Sequence, residues 1–165
     1  MIIKYEKTFN IQQPYSIDGK EYPAYGYFFS ESEKYVLTQK ANLWSVHTFE
    51  HILFLTADPC REETLEEARR IIDSYMEPHL VRKDRKVPPK DHMVSYLTIA
   101  ILSEHTPGRE VIQKAEAFRY DRSYLLTIRG ASEGHLILVD LEGEEVYSNR
   151  RARNLREIYR KGFSA

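Results

Sequence analysis

The pattern of apolar and polar positions changes along the chain, and each change marks a different kind of element. Between residues 24 and 56, apolar side chains recur at nearly every second position, which is typical of half-buried β-strands. This alternation predicts three antiparallel strands joined by short turns, over residues 24–29, 34–44 and 46–56. Ahead of them, Asp18-Gly19 is a two-residue turn signal between aromatic and aliphatic residues, and it predicts a hairpin.

A helical period replaces the alternation between residues 58 and 80. Apolar residues recur there at three- and four-residue spacing and predict one buried helix face: Leu65, Ala68, Ile72, Tyr75 and Met76. Four glutamates in the first turns suit the positive end of the helix dipole. Pro78 is expected to end the helix or mark its last turn, because proline removes a backbone donor.

The second half of the chain alternates between strands and helices. Residues 93–102 are apolar at both parities, which is typical of a central strand covered on both faces. Thr106-Pro107 predicts the start of a second helix, and residues 123–129 read as the next strand. A buried stripe is expected on that helix: Val111, Ile112, Ala115 and Phe118.

A hairpin and a helix complete the pattern. Residues 135–141 and 145–147 read as two strands joined at Glu142-Gly143, and Asn149 is expected to cap the last helix. The whole pattern predicts a mixed α+β domain with a single mixed sheet. That sheet has N-terminal antiparallel strands, two βα crossovers, and a C-terminal hairpin and helix. A chain of 165 residues fits one globular domain over 1–165.

Composition narrows the class without pointing to a partner. The chain is 42% apolar and 30% charged, with a formal net charge of −1, so bulk charge favours no particular ligand. The single cysteine, Cys60, excludes a disulfide framework within the chain and suits a reducing compartment. No apolar run is long enough to span a membrane. We therefore expect a cytoplasmic protein with no cofactor and no membrane partner.

One stretch has the spacing of a catalytic signature. His47-Thr48-Phe49-Glu50-His51 matches H-x-x-E-H and is followed by an apolar, phenylalanine-containing run. It resembles the inverzincin metalloproteases, the insulysin and pitrilysin family. The resemblance implies zinc held by His47 and His51, with Glu50 as general base. A metal-dependent hydrolase is therefore the alternative function.

The same five residues also fit a strand. Joint ligation requires a helix, because four residues along a strand separate the two histidines by ~13 Å. The β-branched and aromatic residues on either side favour the strand, in which the histidines are structural. Glu50 then has two interpretations. It pairs with a cross-strand cation such as Lys40, or it lies in a pocket with a raised pKa.

Three antiparallel strands, a helix and a further strand are also similar in order to restriction-endonuclease-like folds. Those nucleases need a Glu-x-Lys or Asp-x-Lys motif on a strand to hold magnesium. Asp18-Gly19-Lys20 has the spacing but lies in a turn, and Glu50-His51-Ile52 lacks the lysine. The motif would be degenerate, so we predict no nuclease activity.

Charge segregation gives the preferred functional hypothesis. Two basic clusters predict a patch for nucleic acid or another polyanion: Arg150, Arg151, Arg153, Arg156, Arg160 and Lys161 in the last helix, and Arg82, Lys83, Arg85, Lys86 and Lys90 in a loop. The favoured function is thus a non-catalytic binding or interaction module, with nucleic acid or an acidic protein as partner. Self-association into a homodimer through an edge strand stays open.

Overall fold

The predicted fold class is confirmed by a computed structural model that describes residues 9–34 and 44–163. Within these residues a mixed sheet has seven strands, in the order β1-β4-β5-β6-β8-β7, and β9 also pairs with β8. The hairpin of β2 and β3 forms a separate two-stranded sheet. The strands are β1 (Asn10–Gln12), β2 (Tyr15–Ile17), β3 (Lys20–Tyr22), β4 (Ala24–Lys34), β5 (Trp44–Ala57), β6 (His92–Ser103), β7 (Asp121–Ser123), β8 (Ala131–Asp140) and β9 (Glu145–Ser148).

Helical segments cover both faces of the large sheet. They are α1 (Glu62–Ile71), a π-helix (Ile72–Val81), α2 (Arg109–Ala117), a 3₁₀ helix (Arg150–Leu155) and α3 (Arg156–Arg160). One sheet face, which includes Leu53, Leu97 and Leu136, packs against α1, the π-helix and α2. The other face packs against Ala152 and Tyr159 of the C-terminal helices. Strand parity therefore assigns the buried residues of the central strands to one of two cores.

The strand pairing follows the predicted topology only in part, because β4 continues without a break through residues 30–33, where a turn was predicted, and pairs directly with β5. β4 and β5 are antiparallel, so that Tyr27 lies opposite His51. β5 pairs in parallel with β6, and β6 pairs in parallel with β8, which gives the two crossovers. The hairpins predicted at Asp18-Gly19 and at Glu142-Gly143 both form. The strand predicted over 34–44 falls mainly on residues 35–43, which lie outside the described residues.

The first helix differs from its prediction in start, end and type. It begins at Glu62 and passes into a π-helix at Ile72, and Pro78 lies inside the π-helix without ending it. A π-helix bonds residue i to residue i+5, as when the Arg82 amide donates to the Glu77 carbonyl over 3.1 Å. This five-residue spacing aligns Ile72, Glu77 and Arg82, which the 3.6-residue period of an α-helix would separate.

The strand predicted over 123–129 is wrong. In this part of the chain only β7, which ends at Ser123, is a strand, and it pairs antiparallel with β8. Residues 124–129 form a turn. The parallel strand after α2 is β8 itself. The free edge of β8 is shared between β7 at its start and β9 at its end, so no room remains for a longer strand.

Two predicted helix caps also differ. The residue before α2 is Gly108, while the Thr106 amide donates to Glu142 over 2.8 Å. Asn149 does precede the 3₁₀ helix, but its side chain does not cap it. The Asn149 amide instead accepts from the Leu136 N–H and donates to the Phe118 and Gly134 carbonyls. The Asn149 side chain therefore connects the start of the 3₁₀ helix to β8 and to the end of α2.

Gly130 permits a close approach between two loops. Its φ is +80°, and a Cβ there would lie 2.3 Å from the Met93 carbonyl oxygen and 2.7 Å from His92 Nδ1. We expect Gly130→Ala to lower the free energy of unfolding by about 2–4 kcal/mol, because the methyl group meets backbone and the φ is strained. Urea unfolding followed by circular dichroism measures this. Gly108→Ala, with nothing within 4 Å of its Cβ, is the control and is expected to change stability by less than about 1 kcal/mol.

Candidate ligand-binding site

A pocket of about 360 Å³ opens where the end of the π-helix passes over β4, β5 and β6. This volume is within the range of small-molecule sites, roughly 300–1,000 Å³. It lies on the α1 side of the sheet. Its lining residues are Asn10, Gln12, Tyr25, Tyr27, Phe49, His51, His79, Leu80, Val81, Lys83, Pro89 and Ser95.

A continuous layer of rings forms the floor of the pocket. The alternation of β4 and β5 places Tyr25, Tyr27, Phe49 and His51 on one sheet face, as their register shows. The His51 ring lies 5.1 Å from the Tyr27 ring, which lies 6.4 Å from the Phe49 ring. Phe49 in turn stacks on His92 at 5.8 Å with an interplanar angle of 11°. Such a layer offers flat π surfaces to a bound ring.

His51 is held as a neutral imidazole at the centre of this layer. Burial, together with the nearby charges of His92 and Lys83, lowers the pKa of His51 to about 4. Its Nδ1 lies 2.7 Å from the Tyr25 hydroxyl. Burial raises the pKa of Tyr25, so the hydroxyl keeps its proton. When Tyr25 donates to Nδ1, the proton of the neutral imidazole is on Nε2.

A second histidine, His92, is the member of the ring layer next to Phe49. His92 Nδ1 lies 3.0 Å from the Arg129 carbonyl oxygen, and its Nε2 lies 2.9 Å from Ser95 Oγ. A carbonyl can only accept, so Nδ1–H is the donor, and Ser95 donates to Nε2. Burial lowers the pKa of His92, which favours this neutral form. The bonds fix the ring plane against Phe49, and Ser95 is fully buried on the central strand.

A buried carboxylate anchors the π-helix beside the pocket. Glu77 is fully buried, and its Oε1 accepts from Arg82 Nε at 2.7 Å and from the Tyr124 hydroxyl at 2.9 Å. Its Oε2 lies 3.2 Å from Arg122, close enough for an ion pair but not aligned as a hydrogen bond. Ser132 then donates to Tyr124 over 2.8 Å. A buried charge needs such pairing, and here it comes from the end of the π-helix and from residues 122–124.

Lys83 supplies a positive charge at the pocket. It lines the pocket, is exposed, and acts on the pKa of His51. Within the described residues no carboxylate forms an ion pair with Lys83, whereas the neighbouring Asp84 pairs with His79. The site therefore combines an apolar ring floor, neutral histidine and one cation without a carboxylate partner.

The helix required by the zinc interpretation does not form. His47, Glu50 and His51 lie on β5, so the strand prediction for this stretch is confirmed. The two histidines lie ~13 Å apart along the strand. Across residues 9–34 and 44–163, no three His, Cys, Asp or Glu side chains are grouped closely enough to hold a metal ion. The hydrolase alternative thus lacks the geometry that it needs. The Asp18-Gly19-Lys20 motif does not have the nuclease arrangement either, because its Lys20 pairs with Glu67 at 2.5 Å.

Glu50 lies on the opposite sheet face and lines a second cavity of about 780 Å³. Burial raises the pKa of Glu50. Lys40, its expected partner, lies outside the described residues. In this cavity Arg151 pairs with Asp121 at 2.7 Å and with Glu133 at 3.5 Å. The ion pairs of Arg151 with Asp121 and Glu133 therefore neutralise much of the charge that lines this cavity.

The two basic clusters are separated by the sheet. The 82–90 loop follows the π-helix on one face, whereas the C-terminal helices pack on the other. Arg150 and Arg151 line the second cavity, Arg153 and Lys161 are exposed, and Arg85 and Lys86 are exposed on the loop. Arg156 pairs with Glu116, Arg160 with Glu145 and Glu157, and Arg82 with Glu77. They do not form one continuous patch.

Several residues of the site were missed from sequence. Glu77, His92, Ser95 and Tyr124 stand in otherwise apolar stretches, and none was selected as a candidate. A carboxylate next to a proline inside an apolar helix stretch, Glu77-Pro78, was the available signal. Lys83 was selected, but only as part of a surface cluster.

Comparisons add a family but no function. No described helix is both long and apolar enough to cross a bilayer. Searches of curated proteins and of solved structures found no match. One family model matches residues 1–161, nearly the whole chain. The chain belongs to the family described as Domain of unknown function (DUF8052).

Proposed function

We propose that this protein is a non-catalytic binding module for a small aromatic anion, held in the pocket between the π-helix and β4–β6. The proposal rests on one observation. The pocket has an apolar floor of rings, and its cation, Lys83, forms no ion pair with a carboxylate of the described residues. Tyr27, Phe49 and His51 would stack on the ligand ring, and Lys83 would pair with its anionic group.

The charge of the pocket supports an anion over a cation. Burial lowers the pKa of both His51 and His92 and so favours their neutral forms at pH 7, while Lys83 is the lysine that lines the pocket. Among the lining residues no Asp or Glu occurs. A cationic ligand would meet an uncompensated like charge, whereas a carboxylate or phosphate would be attracted.

Binding is favoured over acyl-transfer catalysis by the surroundings of Ser95. Ser95 and His92 have the spacing of a nucleophile and a base, but Ser95 is fully buried on β6, which pairs with strands on both sides. Backbone N–H groups inside such ladders are already bonded, so they cannot stabilise an oxyanion. Polyanion binding by the basic clusters stays a prediction, and their separation by the sheet favours a small ligand.

A matched pair of ligands tests the proposal. Indole-3-carboxylate and indole-3-carboxamide share a flat ring, but only the first carries a charge. We expect isothermal titration calorimetry to detect binding of the carboxylate. We also expect it to raise the melting temperature of the protein, because a ligand that binds only the folded state stabilises that state. Lys83→Ala is expected to weaken the affinity for the carboxylate by roughly five- to tenfold, which corresponds to about 1–1.4 kcal/mol of binding free energy.

Lys86→Ala is the matched control, because Lys86 is an exposed lysine of the same loop that does not line the pocket. It is expected to leave the affinity unchanged. No binding of either compound at concentrations up to about 1 mM would overturn the proposal, as would equal binding of both.

A further inference from the structure

The turn between β7 and β8 exposes a cluster of aliphatic side chains. Leu125, Leu126 and Ile128 have 57%, 92% and 78% of their surface exposed. Met93, at the start of β6, is 49% exposed, and its carbonyl lies against Gly130 at the end of the turn. Single exposed aliphatic residues are common on protein surfaces, but several together at one turn mark an interaction surface. We call Leu125, Leu126 and Ile128 the aliphatic tip.

The backbone of the turn holds this tip in an unfavourable conformation. Leu125, Leu126 and Thr127 have φ values of 48°, 52° and 72°, so three consecutive non-glycine residues are left-handed. This region is costly for residues with a Cβ. The turn is closed by Arg129 N donating to the Tyr124 carbonyl over 3.1 Å and by Gly130 N donating to the Thr127 carbonyl over 2.9 Å. Backbone strain of this kind clusters at functional sites.

Exposed cations lie at the same end of the sheet as the aliphatic tip. The tip precedes β8, and the 82–90 basic loop precedes β6, which pairs in parallel with β8, so both lie at the same end of the sheet. The His92–Arg129 hydrogen bond of 3.0 Å connects the two loops directly. Arg85, Lys86 and Lys90 are exposed on the basic loop, and Arg122 and Arg129 flank the tip in sequence.

We propose that this end of the molecule docks on an anionic lipid surface. The aliphatic tip enters the interfacial region of the bilayer, and the basic loop pairs with lipid phosphates. Exposed aliphatic side chains next to a loop with several exposed cations are what such a bilayer attracts. A nucleic acid would use the cations but would gain little from leucine and isoleucine, which lack the flat π-faces and polar groups that recognise bases. The expectation of no membrane partner rested only on the lack of a spanning segment.

Co-sedimentation with vesicles tests the docking. Full-length protein is mixed with vesicles of phosphatidylcholine alone or with 30–40% phosphatidylglycerol, at low and high salt. We expect binding to the anionic vesicles only, weakened by salt because screening shortens the reach of the charges. Leu126→Ser with Ile128→Ser is expected to weaken partitioning by at least about tenfold. Lys86→Gln with Lys90→Gln is expected to weaken it by a similar factor.

Matched controls keep the test specific. Ile158→Ser removes an exposed aliphatic residue on α3, and Arg153→Gln removes an exposed cation on the 3₁₀ helix, both on the other side of the sheet. Both are expected to leave partitioning unchanged. All replaced residues are exposed, and circular dichroism checks that the variants fold. No binding to anionic vesicles at low salt would overturn the proposal, as would binding that tip and loop variants leave unchanged. Self-association lost in the tip variant, with no vesicle binding, would instead assign the tip to a second copy of the chain.

Discussion

Replacing Glu77 with alanine is expected to lower the free energy of unfolding by about 3–5 kcal/mol at pH 7. Glu77 is fully buried, and its carboxylate contacts Arg82 at the end of the π-helix and Arg122 and Tyr124 from one later stretch of the chain. Removing it leaves a cavity, a buried Tyr124 hydroxyl that keeps only its bond to Ser132, and two cations without this partner. Urea unfolding followed by circular dichroism and tyrosine fluorescence measures the loss.

Asp73→Ala is the matched control for Glu77→Ala. Asp73 is another acid of the π-helix, and it pairs with Arg69 at 2.7 Å, but about half of each side chain is exposed. Exposed pairs contribute little, so we expect a loss below about 1 kcal/mol. Glu77→Gln keeps the volume and removes the charge, and it is expected to fall between the two. A Glu77→Ala loss no larger than that of Asp73→Ala would show that the buried network does not hold the π-helix in place.

The π-helix also shows where sequence analysis reached its limit. The 3.6-residue period correctly predicted Leu65 and Ala68 on α1 as buried, and it still held for Ile72 and Met76 in the first turn of the π-helix. It missed Glu77, since a helix with i to i+5 bonds rotates each later residue to another direction. No local pattern announces that change. The buried Glu77 carboxylate is instead contacted by Arg122 and Tyr124, which come from a much later part of the chain.

Strands were predictable to the extent that burial on one face dictates alternation. The residues of β5 and β6 were assigned to strands, and parity placed His51 apart from Glu50, as the structure confirms. Alternation does not tell which sheet edge is free, so residues 123–129 were wrongly assigned to a strand. The ligand pocket itself needed the pairing of β4 with β5 and the path of the π-helix, and neither is local in sequence.

Acid is expected to destabilise the protein between about pH 6.5 and 4 through two buried histidines. Burial lowers the pKa of both His51 and His135 to about 4 in the folded chain, against about 6.5 when unfolded. Below pH 6.5 the unfolded state therefore binds protons that the folded state refuses, and stability falls until the folded pKa is reached. Each histidine is expected to contribute about 2–3 kcal/mol to this loss.

His135→Phe isolates one of these two contributions. The His135 ring stacks on Tyr96 at 5.1 Å, and its buried Nδ1 has no hydrogen-bond partner within the described residues. A phenyl ring keeps the stack and removes a polar atom that is not satisfied, so stability at pH 7.5 should change little. Between pH 7.5 and 4.5, however, the variant should lose about 2 kcal/mol less than the wild type in urea unfolding.

An exposed histidine distinguishes burial from a general effect of acid. The pKa of His105 is raised by its hydrogen bond to Asp58, so its proton binds more tightly in the folded state. Its contribution has the opposite sign, being present at low pH and lost as the pH rises through the folded value. His105→Gln should therefore leave the acid loss in place or enlarge it slightly, while His135→Phe reduces it. His135 lines the second cavity. If acid lowered the free energy of unfolding equally in the wild type and in His135→Phe, His135 would be charged in the folded protein and hydrated in that cavity.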